Sequence, residues 1–320
     1  MIDDMVRTYH HITIINDASF LIGSDDSILK AGLNKGVPFC CECGGRARCS
    51  TCRILVVEGE ENLSETNTAE KNMQKYFELP RNVRLACQTY VKGGAVRIKR
   101  IMNDESDYPL YLRNKIIKDE NIGKEMRLCL LFLDIRNFTP FVEHNLAFDV
   151  IHVVRKMFYH FEEIIREHGG KIVETAGDGL YAAFGFEDTT KESANKTVSC
   201  VKEMFKELKR LNELYFKKYF KQEIEIGVGA HLGKVAAGDL LLQGNPHQLV
   251  MGYPVNVAAR IQDLTKKLNN SFIVSKDVYE LLEERPRAAN SLENLKGVEE
   301  PFLLYLLGEQ FNYQKGLPSR

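Results

Sequence analysis

The alternation of apolar and polar residues divides the chain into two folded regions. In the first, HITIIN (11–16) alternates as a half-buried strand does, SILKAGLNKGV has the spacing of a short helix ending at Gly36, and GAVRIKRI (94–101) predicts a closing strand. Residues 103–125 are polar, with scattered apolar positions and no clear period. This stretch is interpreted as a connector that is partly helical over 109–118.

The second region begins with RLCLLFLDI, a nearly unbroken apolar run that is typical of a buried strand and delivers Asp134 at its edge. Apolar residues at helical spacing predict a long helix from Ala147 to His168, which the next two glycines would end. KIVETAGDGLYAAFG predicts a hairpin with its turn at 177–179, and an amphipathic helix is expected over 189–217.

The remaining sequence continues this mixture of strands and helices. EIEIGVGAHLG alternates as a half-buried strand, and MGYPVNVAARIQDLTKK predicts a helix that starts after Pro254. SFIVSKDVYELLEE predicts a strand followed by a helix, and PFLLYLLG predicts a final strand. Because strands and helices alternate without strict βαβ repetition, the pattern predicts a mixed domain of the α+β class.

Composition narrows the class of protein. A chain of 320 residues is long enough for two domains, each with its own core. Charged residues make up 27% but nearly cancel, with a formal net charge of -1, which argues against a nucleic-acid partner. No apolar run approaches the roughly twenty residues of a membrane segment, and the first twenty residues lack the apolar core of a signal peptide. The expected location is therefore cytoplasmic.

Five of the eight cysteines fall within CCECGGRARCSTC, residues 40–52. In a reducing compartment, clustered thiols are expected to bind a metal rather than to form disulfides. A zinc ribbon needs two C-x2-C pairs, and only Cys49 and Cys52 have that spacing. Adding Cys43 and Cys87 gives the plant-type iron–sulfur spacing with one extra residue in the first gap. A zinc site and a group of reduced thiols remain the alternatives.

CGGRARCSTCRI followed by RLACQ resembles the 2Fe–2S ferredoxins of the adrenodoxin-like branch. The resemblance implies a β-grasp ferredoxin domain over residues 1–102, with a 2Fe–2S cluster and an electron donor or reductase as partner. It implies four cluster ligands: Cys43, Cys49, Cys52 and Cys87. Gly44 and Gly45 would let the loop wrap so that backbone N–H groups point at the sulfides.

Two other features of this region are given structural interpretations. Cys40 and Cys41 have no partner at ligand spacing and are interpreted as packing residues, with Cys41 as an alternative cluster ligand. The acidic run EGEENLSETNTAE (58–70) lies where related ferredoxins dock a reductase. Because Lys71 and Lys75 dilute its charge, the run is interpreted as a solvated surface.

Two carboxylates stand out in the second region. Asp134 ends a buried strand, and Asp178 lies in a Gly-Asp-Gly turn. A carboxylate pair without histidine or cysteine is the hard-ligand choice for Mg²⁺ or Mn²⁺. Turn aspartates are common, so the pair by itself is equally well explained as structural.

The surrounding motifs favour a metal-binding role for this pair. FLDIRNFTPF, VETAGDGLYAAFG, GVGAHLGKVAAGDL and VMGYPVNVAARI occur in an order, and at separations, that resemble the class III nucleotide cyclase catalytic domain. The resemblance implies a ferredoxin-like βαββαβ core sheet with flanking helices over residues 126–310, followed by a C-terminal tail, 311–320. It also implies conversion of a purine nucleoside triphosphate to its 3′,5′-cyclic monophosphate and pyrophosphate with two Mg²⁺ or Mn²⁺ ions.

The resemblance assigns roles to individual residues. The metal ligands would be Asp134, Asp178 and the backbone carbonyl of Ile135. Asn256 and Arg260, four residues apart on one helical face, would position the ribose and stabilise the transition state. Contacts to phosphate would come from Phe138, Thr139 and Lys296. In this family each active site takes residues from two chains, so a homodimer is expected.

The positions that read the base depart from the usual adenylyl cyclase pattern. Glu174 stands where lysine is usual, and Leu249 where aspartate or threonine is usual. A glutamate can accept hydrogen bonds from guanine N1–H and the 2-amino group, whereas adenine N1 is itself an acceptor. GTP is therefore slightly favoured over ATP, although Leu249 offers no hydrogen bond. Alternatively, Glu174 turns away and backbone groups select the base.

Fusion of the two regions suggests regulation. The redox state or integrity of the cluster would shift the cyclase dimer through the connector at 103–125. A different class is a redox-sensing or electron-transfer ferredoxin whose cyclase-like domain binds nucleotide without catalysis. The sequence favours the enzyme because it retains all four expected catalytic and metal-binding side chains: Asp134, Asp178, Asn256 and Arg260.

Overall fold

The computed structural model describes residues 8–103, 123–242 and 245–311. The chain divides into two compact units, Met1–Lys124 and Glu125–Arg320, and each is described by itself. The connector segment expected to be partly helical, 109–118, lies outside the described residues.

The N-terminal unit is a mixed five-stranded sheet packed against a short helix. Its strands are β1 (Tyr9–Ile14), β2 (Ala18–Gly23), β3 (Arg53–Glu58), β4 (Val83–Leu85) and β5 (Ala95–Arg100), and its helices are α1 (Ile28–Asn34) and α2 (Thr68–Tyr76). The strand order is β2-β1-β5-β3-β4, with β1 antiparallel to β2 and parallel to β5. This is the expected β-grasp arrangement.

Alternation along β1 explains the core of this unit. Ile12 and Ile14 are buried and pack with Ile98 from β5 and Leu85 from β4. Helix α1 begins after Ser27, whose hydroxyl accepts a hydrogen bond from the N–H of Lys30 at 3.3 Å. The cysteine loop, residues 40–52, connects this helix to β3.

The C-terminal unit is an eight-stranded sheet with flanking helices. Its strands are β6 (Lys124–Ile135), β7 (Gly170–Ala176), β8 (Gly179–Phe184), β9 (Ile226–Leu242), β10 (Asn245–Met251), β11 (Phe272–Ser275), β12 (Ala289–Glu293) and β13 (Phe302–Leu306). Its α-helices are α3 (Phe138–His144), α4 (Ala147–Glu167), α5 (Thr190–Leu211), α6 (Tyr253–Lys267) and α7 (Lys276–Tyr279). The strand order is β12-β13-β11-β9-β6-β8-β7, and β10 pairs with β9.

Four of these strands form the expected ferredoxin-like core. They lie in the order β9-β6-β8-β7, with α4 between β6 and β7 and α5 between β8 and β9. The predicted long helix from Ala147 and the predicted hairpin around the turn at 177–179 are both confirmed.

The two faces of this sheet have different coverings. On β6, Leu131 and Leu133 pack with helices α4 and α5 in the larger core. Leu130 and Phe132 face the opposite side, where they pack with Tyr181 of β8. Asp134 is two residues beyond Phe132 and therefore lies on this second face. Helix α6 covers the second face mainly over β9 and β11.

Three details differ from the sequence predictions. The helix expected over 189–217 is α-helical only to Leu211 and continues as a π-helix, Asn212–Phe220. The change to a π-helix begins at Asn212, whose side-chain amide is buried. Nδ2 of Asn212 donates to the carbonyl of Ile224, and Oδ1 accepts from the N–H of the same residue, both at 2.8 Å. Helix α6 begins at Tyr253, with Pro254 inside its first turn. Strands β10 and β12 were not predicted because their sequences are polar and lack clear alternation.

Candidate functional site

The four predicted cluster cysteines lie in the N-terminal unit as two pairs. Cys49 is hydrogen-bonded to Cys43, and Cys52 to Cys87. Within residues 8–103, 123–242 and 245–311, no three or more His, Cys, Asp or Glu side chains form a group that could hold one metal ion. A 2Fe–2S cluster takes two ligands on each of its irons. Two such pairs of thiols are the donor set that a 2Fe–2S cluster requires.

The loop around Cys43 favours its thiolate. Gly44 and Gly45 have φ angles of 61° and 78°, in the left-handed region expected from the sequence. The pKa of Cys43 is lowered to about 5, first by a hydrogen bond from Cys49 and then by backbone N–H groups of the two arginines in the loop, while burial opposes this. The side chains of both arginines are exposed. The Cys49 thiol and backbone N–H groups of the loop therefore stabilise this thiolate.

Cys87 comes from the segment after β4. A hydrogen bond from Cys52 lowers the pKa of Cys87 to about 7, against burial, and Nε2 of Gln88 donates to its Sγ at 3.3 Å. The same Nε2 donates to the carbonyl of Gly45 at 3.0 Å. Gln88 therefore ties the segment carrying Cys87 to the loop carrying the other three thiols.

A buried ion pair supports the segment that carries Cys87. Nε and Nη2 of Arg84 donate to the two carboxylate oxygens of Glu70 at 3.0 and 2.9 Å, and the N–H of Leu85 donates to the same carboxylate at 2.7 Å. Glu70 is 0% exposed. The interpretation of residues 58–70 as a solvated surface is therefore wrong for Glu70, because helix α2 turns this carboxylate inward.

The other four cysteines are buried. Cys40 and Cys41 are core residues of the N-terminal unit, and burial raises the pKa of Cys41 to about 11. Cys129 and Cys200 are core residues of the C-terminal unit, and burial raises the pKa of each to about 12.

In the C-terminal unit, Asp134 and Asp178 lie next to each other. Pairing of Leu133 with Leu180 brings the turn between β7 and β8 beside the end of β6. Burial and the hydrogen-bonded carboxylate of Asp134 raise the pKa of Asp178 to about 6. Two adjacent carboxylates with too little nearby positive charge favour a bound cation. The carbonyl of Ile135 belongs to the residue that follows Asp134 in the same strand.

One cation of the protein already touches this pair. Nη2 of Arg136 donates to Oδ2 of Asp134 at 2.9 Å, and the Arg136 side chain is 7% exposed. Sequence reasoning missed Arg136 because an arginine just beyond a strand is usually a solvated residue. Its burial depends on residues from distant parts of the chain.

The expected base-reading residues lie near Tyr181. Glu174 is exposed and pairs across the hairpin with Tyr181, whose ring stacks on Phe132 with centroids 4.4 Å apart. The hydroxyl of Tyr181 donates to the carbonyl of Val250 at 3.5 Å, next to Leu249 in β10. Leu249 is 38% exposed. Tyr181 therefore connects the strands that carry the two candidate residues.

Helix α6 presents Asn256 and Arg260 on its exposed face, while Val257 and Ile261 are buried. Nη1 of Arg260 is 3.0 Å from Oδ2 of Asp263, one turn along the same helix. Among the described residues, no hydrogen bond or ion pair joins Asn256 or Arg260 to Asp134 at the end of β6 or to Asp178 in the turn before β8.

The expected phosphate-contacting residues fall in two places. Phe138 and Thr139 begin helix α3, directly after Asn137, which has a φ of 54°. Lys296 is exposed in the loop between β12 and β13. In the described parts of the chain, no helix is both long enough and apolar enough to cross a membrane.

Both regions of the chain match known families, in the predicted order. Residues 121–307 match the adenylate and guanylate cyclase catalytic domain, and residues 14–92 match the 2Fe-2S iron-sulfur cluster binding domain.

Curated relatives match more than half of the chain. An uncharacterized protein of Mycobacterium tuberculosis is 26% identical over 182 residues, 56% of this chain and 32% of that protein. The germination-specific adenylate cyclase of Dictyostelium discoideum is 26% identical over 222 residues, 67% of this chain and 25% of that protein. The chain therefore spans no more than about a third of the length of these relatives.

Solved structures agree with the fold. The crystal structure of the guanylyl cyclase Cya2 aligns with a TM-score of 0.53 and 26% identity, over 60% of this chain and 97% of that one. The adenylyl cyclase CyaB from P. aeruginosa aligns with a TM-score of 0.53 and 22% identity, over 59% of this chain and 97% of that one. The second likeness concerns the fold alone.

Proposed function

Because this chain belongs to the family of adenylate and guanylate cyclase catalytic domains, we propose that it converts a purine nucleoside triphosphate to the 3′,5′-cyclic monophosphate and pyrophosphate. The observation that carries the proposal is the adjacency of Asp134 and Asp178 at the ends of neighbouring strands. Such a pair suits divalent cations that accompany a triphosphate.

The metal-binding groups would be Asp134, Asp178 and the carbonyl of Ile135. Two Mg²⁺ or Mn²⁺ ions held there would activate the ribose 3′-hydroxyl and neutralise the triphosphate. The chain itself fixes the carboxylates, since strand pairing holds the Asp178 turn beside β6 and Arg136 bonds Asp134. Phosphate contacts would come from Phe138, Thr139 and Lys296.

The active site would be shared between two copies of this chain in a homodimer. The exposure of Asn256 and Arg260 on α6 supports this arrangement. In the shared site, Asn256 from the second copy would orient the ribose. The planar guanidinium of Arg260 would donate hydrogen bonds to phosphoryl oxygens as charge builds on them. Its pairing with Asp263 is exposed to water and costs little to exchange.

The proposed substrate is GTP, with ATP as the alternative. Glu174 is exposed beside Tyr181, where its carboxylate can accept hydrogen bonds from guanine N1–H and the 2-amino group. An adenine there would leave the carboxylate without a donor, which costs roughly 1–3 kcal/mol. Leu249 supplies an apolar contact and no hydrogen bond.

The N-terminal unit would bind a 2Fe–2S cluster through Cys43, Cys49, Cys52 and Cys87. This assignment is supported by the proximity of the thiols in two pairs and by the loop whose backbone N–H groups bond Cys43. We further propose that the redox state of the cluster, set by an electron donor or reductase, regulates the cyclase through residues 103–125.

Incubation of the purified chain with Mn²⁺ and each of ATP, GTP, CTP and UTP, followed by chromatography of the products, tests activity and base choice together. The proposal expects a cyclic purine nucleotide from the wild type and none from Asp134→Asn. A chain that shows 2Fe–2S absorbance but cyclises none of the four would support a non-catalytic nucleotide-binding domain instead.

The regulatory proposal has its own test. Turnover would be compared in air-oxidised and dithionite-reduced protein, and in Cys43→Ser, with Cys40→Ser as the control at a buried cysteine outside the ligand set. Regulation by the cluster predicts that turnover changes on reduction and in Cys43→Ser but not in Cys40→Ser. Equal turnover in all of these samples would rule it out.

A further inference from the structure

Arg136 is buried next to a solvent-exposed carboxylate. It is the first residue after β6 and follows Asp134 by two positions. Nη2 of Arg136 donates to Oδ2 of Asp134 at 2.9 Å, yet the arginine is 7% exposed and the aspartate 41%. In an ordinary surface ion pair both groups stay in water. Here the cation is inside the protein and the carboxylate is outside.

A notch built from distant segments holds the guanidinium. A Cβ at Gly227 of β9 would lie 2.4 Å from Oγ1 of Thr265 and 3.0 Å from both Cζ and Nε of Arg136, so a side chain there would press against the guanidinium. The ring of Phe311, in the segment after β13, lies with its centroid 5.8 Å from Cζ. The N–H of Arg136 donates to the carbonyl of Glu225 at 2.8 Å. The fold therefore sets the position of Arg136 on three sides.

This position has an energetic cost. Nε of Arg136 is buried and has no hydrogen-bond partner among the described residues. A buried donor on a charged group that is left unbonded destabilises the folded state, and an apolar side chain of similar size would fill the same notch without that penalty. The folded state keeps this energetic penalty at a residue that contacts Asp134. The penalty is explained if the guanidinium holds that carboxylate in position.

We propose that Arg136 is a positioning residue for the metal-binding carboxylate of Asp134, and that Phe311 holds Arg136 in place; the inference rests on the proposed function. By bonding Oδ2, the guanidinium would hold the Asp134 carboxylate in one rotamer beside Asp178, where the two carboxylates would bind a divalent cation. Phe311 is itself fixed, since its N–H donates to Oδ1 of Asn269 at 3.2 Å. The segment after β13 would thus contribute to metal affinity at β6.

An alternative role for Arg136 predicts the opposite change in metal affinity. If Arg136 only replaced the metal ion as a counter-charge, its removal would tighten metal binding. If it positions Asp134, its removal weakens metal binding, because the freed carboxylate samples other rotamers. The direction of the change therefore distinguishes the two roles.

The experiment titrates Mn²⁺ into the full-length chain in the presence of a 3′-deoxynucleoside triphosphate, which lacks the attacking hydroxyl, and follows free Mn²⁺ by electron paramagnetic resonance. The variants are Arg136→Met, Arg136→Lys and Phe311→Leu. Arg210→Met is the control, because Arg210 forms an exposed pair with Glu207. Circular dichroism confirms that each variant is folded.

For Arg136→Met we expect the dissociation constant of Mn²⁺ to rise about tenfold, as for other groups that orient metal ligands. Arg136→Lys and Phe311→Leu should give smaller increases, and the control none. Unchanged or tighter binding in Arg136→Met, or in Arg136→Lys if the methionine variant does not fold, would overturn the role of Arg136. Unchanged binding in Phe311→Leu would overturn that of Phe311. A wild type that binds Mn²⁺ normally but cyclises nothing would refute the proposed function alone.

Discussion

Glu70 and Arg84 form a buried, two-pronged ion pair beneath the segment that carries Cys87, with N–O distances of 3.0 and 2.9 Å. The carboxylate also accepts the N–H of Leu85 at 2.7 Å. One acidic side chain of helix α2 thereby fixes β4 and the start of the Cys87 segment.

Glu70→Gln should destabilise the N-terminal unit. The substitution leaves the guanidinium of Arg84 buried without a counter-charge, which costs about 3–5 kcal/mol. Urea denaturation followed by visible cluster absorbance measures this loss. Glu58→Gln is the matched control, because Glu58 pairs with Arg97 on the surface and such pairs contribute about 0–1 kcal/mol. Equal urea midpoints for Glu70→Gln and Glu58→Gln would contradict the conclusion that Glu70 stabilises the segment carrying Cys87.

A buried histidine should make the C-terminal unit sensitive to acid. Burial lowers the pKa of His231 to about 4, with a smaller effect of Arg127 in the same direction and an opposing one of Asp277. Its Nδ1 is 2.9 Å from Oγ of Ser275. Because the unfolded chain, with a pKa near 6.5, binds the proton more tightly, this contribution is complete above about pH 6.5 and is lost as pH falls toward 4.

The loss should reach about 3 kcal/mol of unfolding free energy at the acid end of that window. Urea denaturation at several pH values, followed by circular dichroism, should show a shallower pH dependence in His231→Gln than in the wild type. His144→Gln, at an exposed position in α3, is the control and should keep the wild-type slope. If the unfolding free energy of His231→Gln and of the wild type had the same slope against pH, His231 would be excluded as the origin of the acid sensitivity.

Glu174→Lys should move base preference from GTP toward ATP. Lysine can donate to adenine N1 but cannot accept from guanine N1–H, so the ratio of kcat/KM for GTP to that for ATP should fall at least about tenfold. Glu187→Lys, an equal charge change at an exposed position beyond β8, should leave the ratio unchanged. If both lysine variants keep the wild-type ratio, Glu174 does not read the base.

Arg260→Ala should lower kcat about 10²–10³-fold, as removal of one donor to a developing anion does. Asp263→Asn should change kcat only slightly, because the Arg260–Asp263 pair is exposed. Steady-state kinetics of the wild type and the two variants measures these changes in kcat. A similar loss in both variants would indicate that Arg260 acts through its partner on α6 rather than on phosphate.

Local patterns predicted most of the framework of the site. The apolar run of β6, the Gly-Asp-Gly turn and the cysteine spacing each lie within short stretches of sequence, so their geometry follows from local backbone rules. Helix α4 ends at Glu167, one residue before the predicted position, because the glycines that follow stop it. The adjacency of Asp134 and Asp178 required only that the two strands pair.

The supporting residues were not predictable in this way. Glu70 lies in a polar segment where a buried carboxylate has the same sequence signature as a solvated one. Arg136 depends on Gly227 and Phe311, which are far from it in sequence. Periodicity reports which face of an element is apolar, but it does not report which distant backbone or ring will close over a charge.

Mixing two inactive variants tests the shared active site most directly. Asp134→Asn and Arg260→Ala each disable both sites of a homodimer, whereas a heterodimer of the two keeps one intact site. An equal mixture that exchanges subunits should recover about a quarter of wild-type specific activity, since half of the dimers carry one working site of two. Recovery near that value supports catalysis by groups from two chains. A mixture as inactive as its components, although subunit exchange is demonstrated, would contradict it.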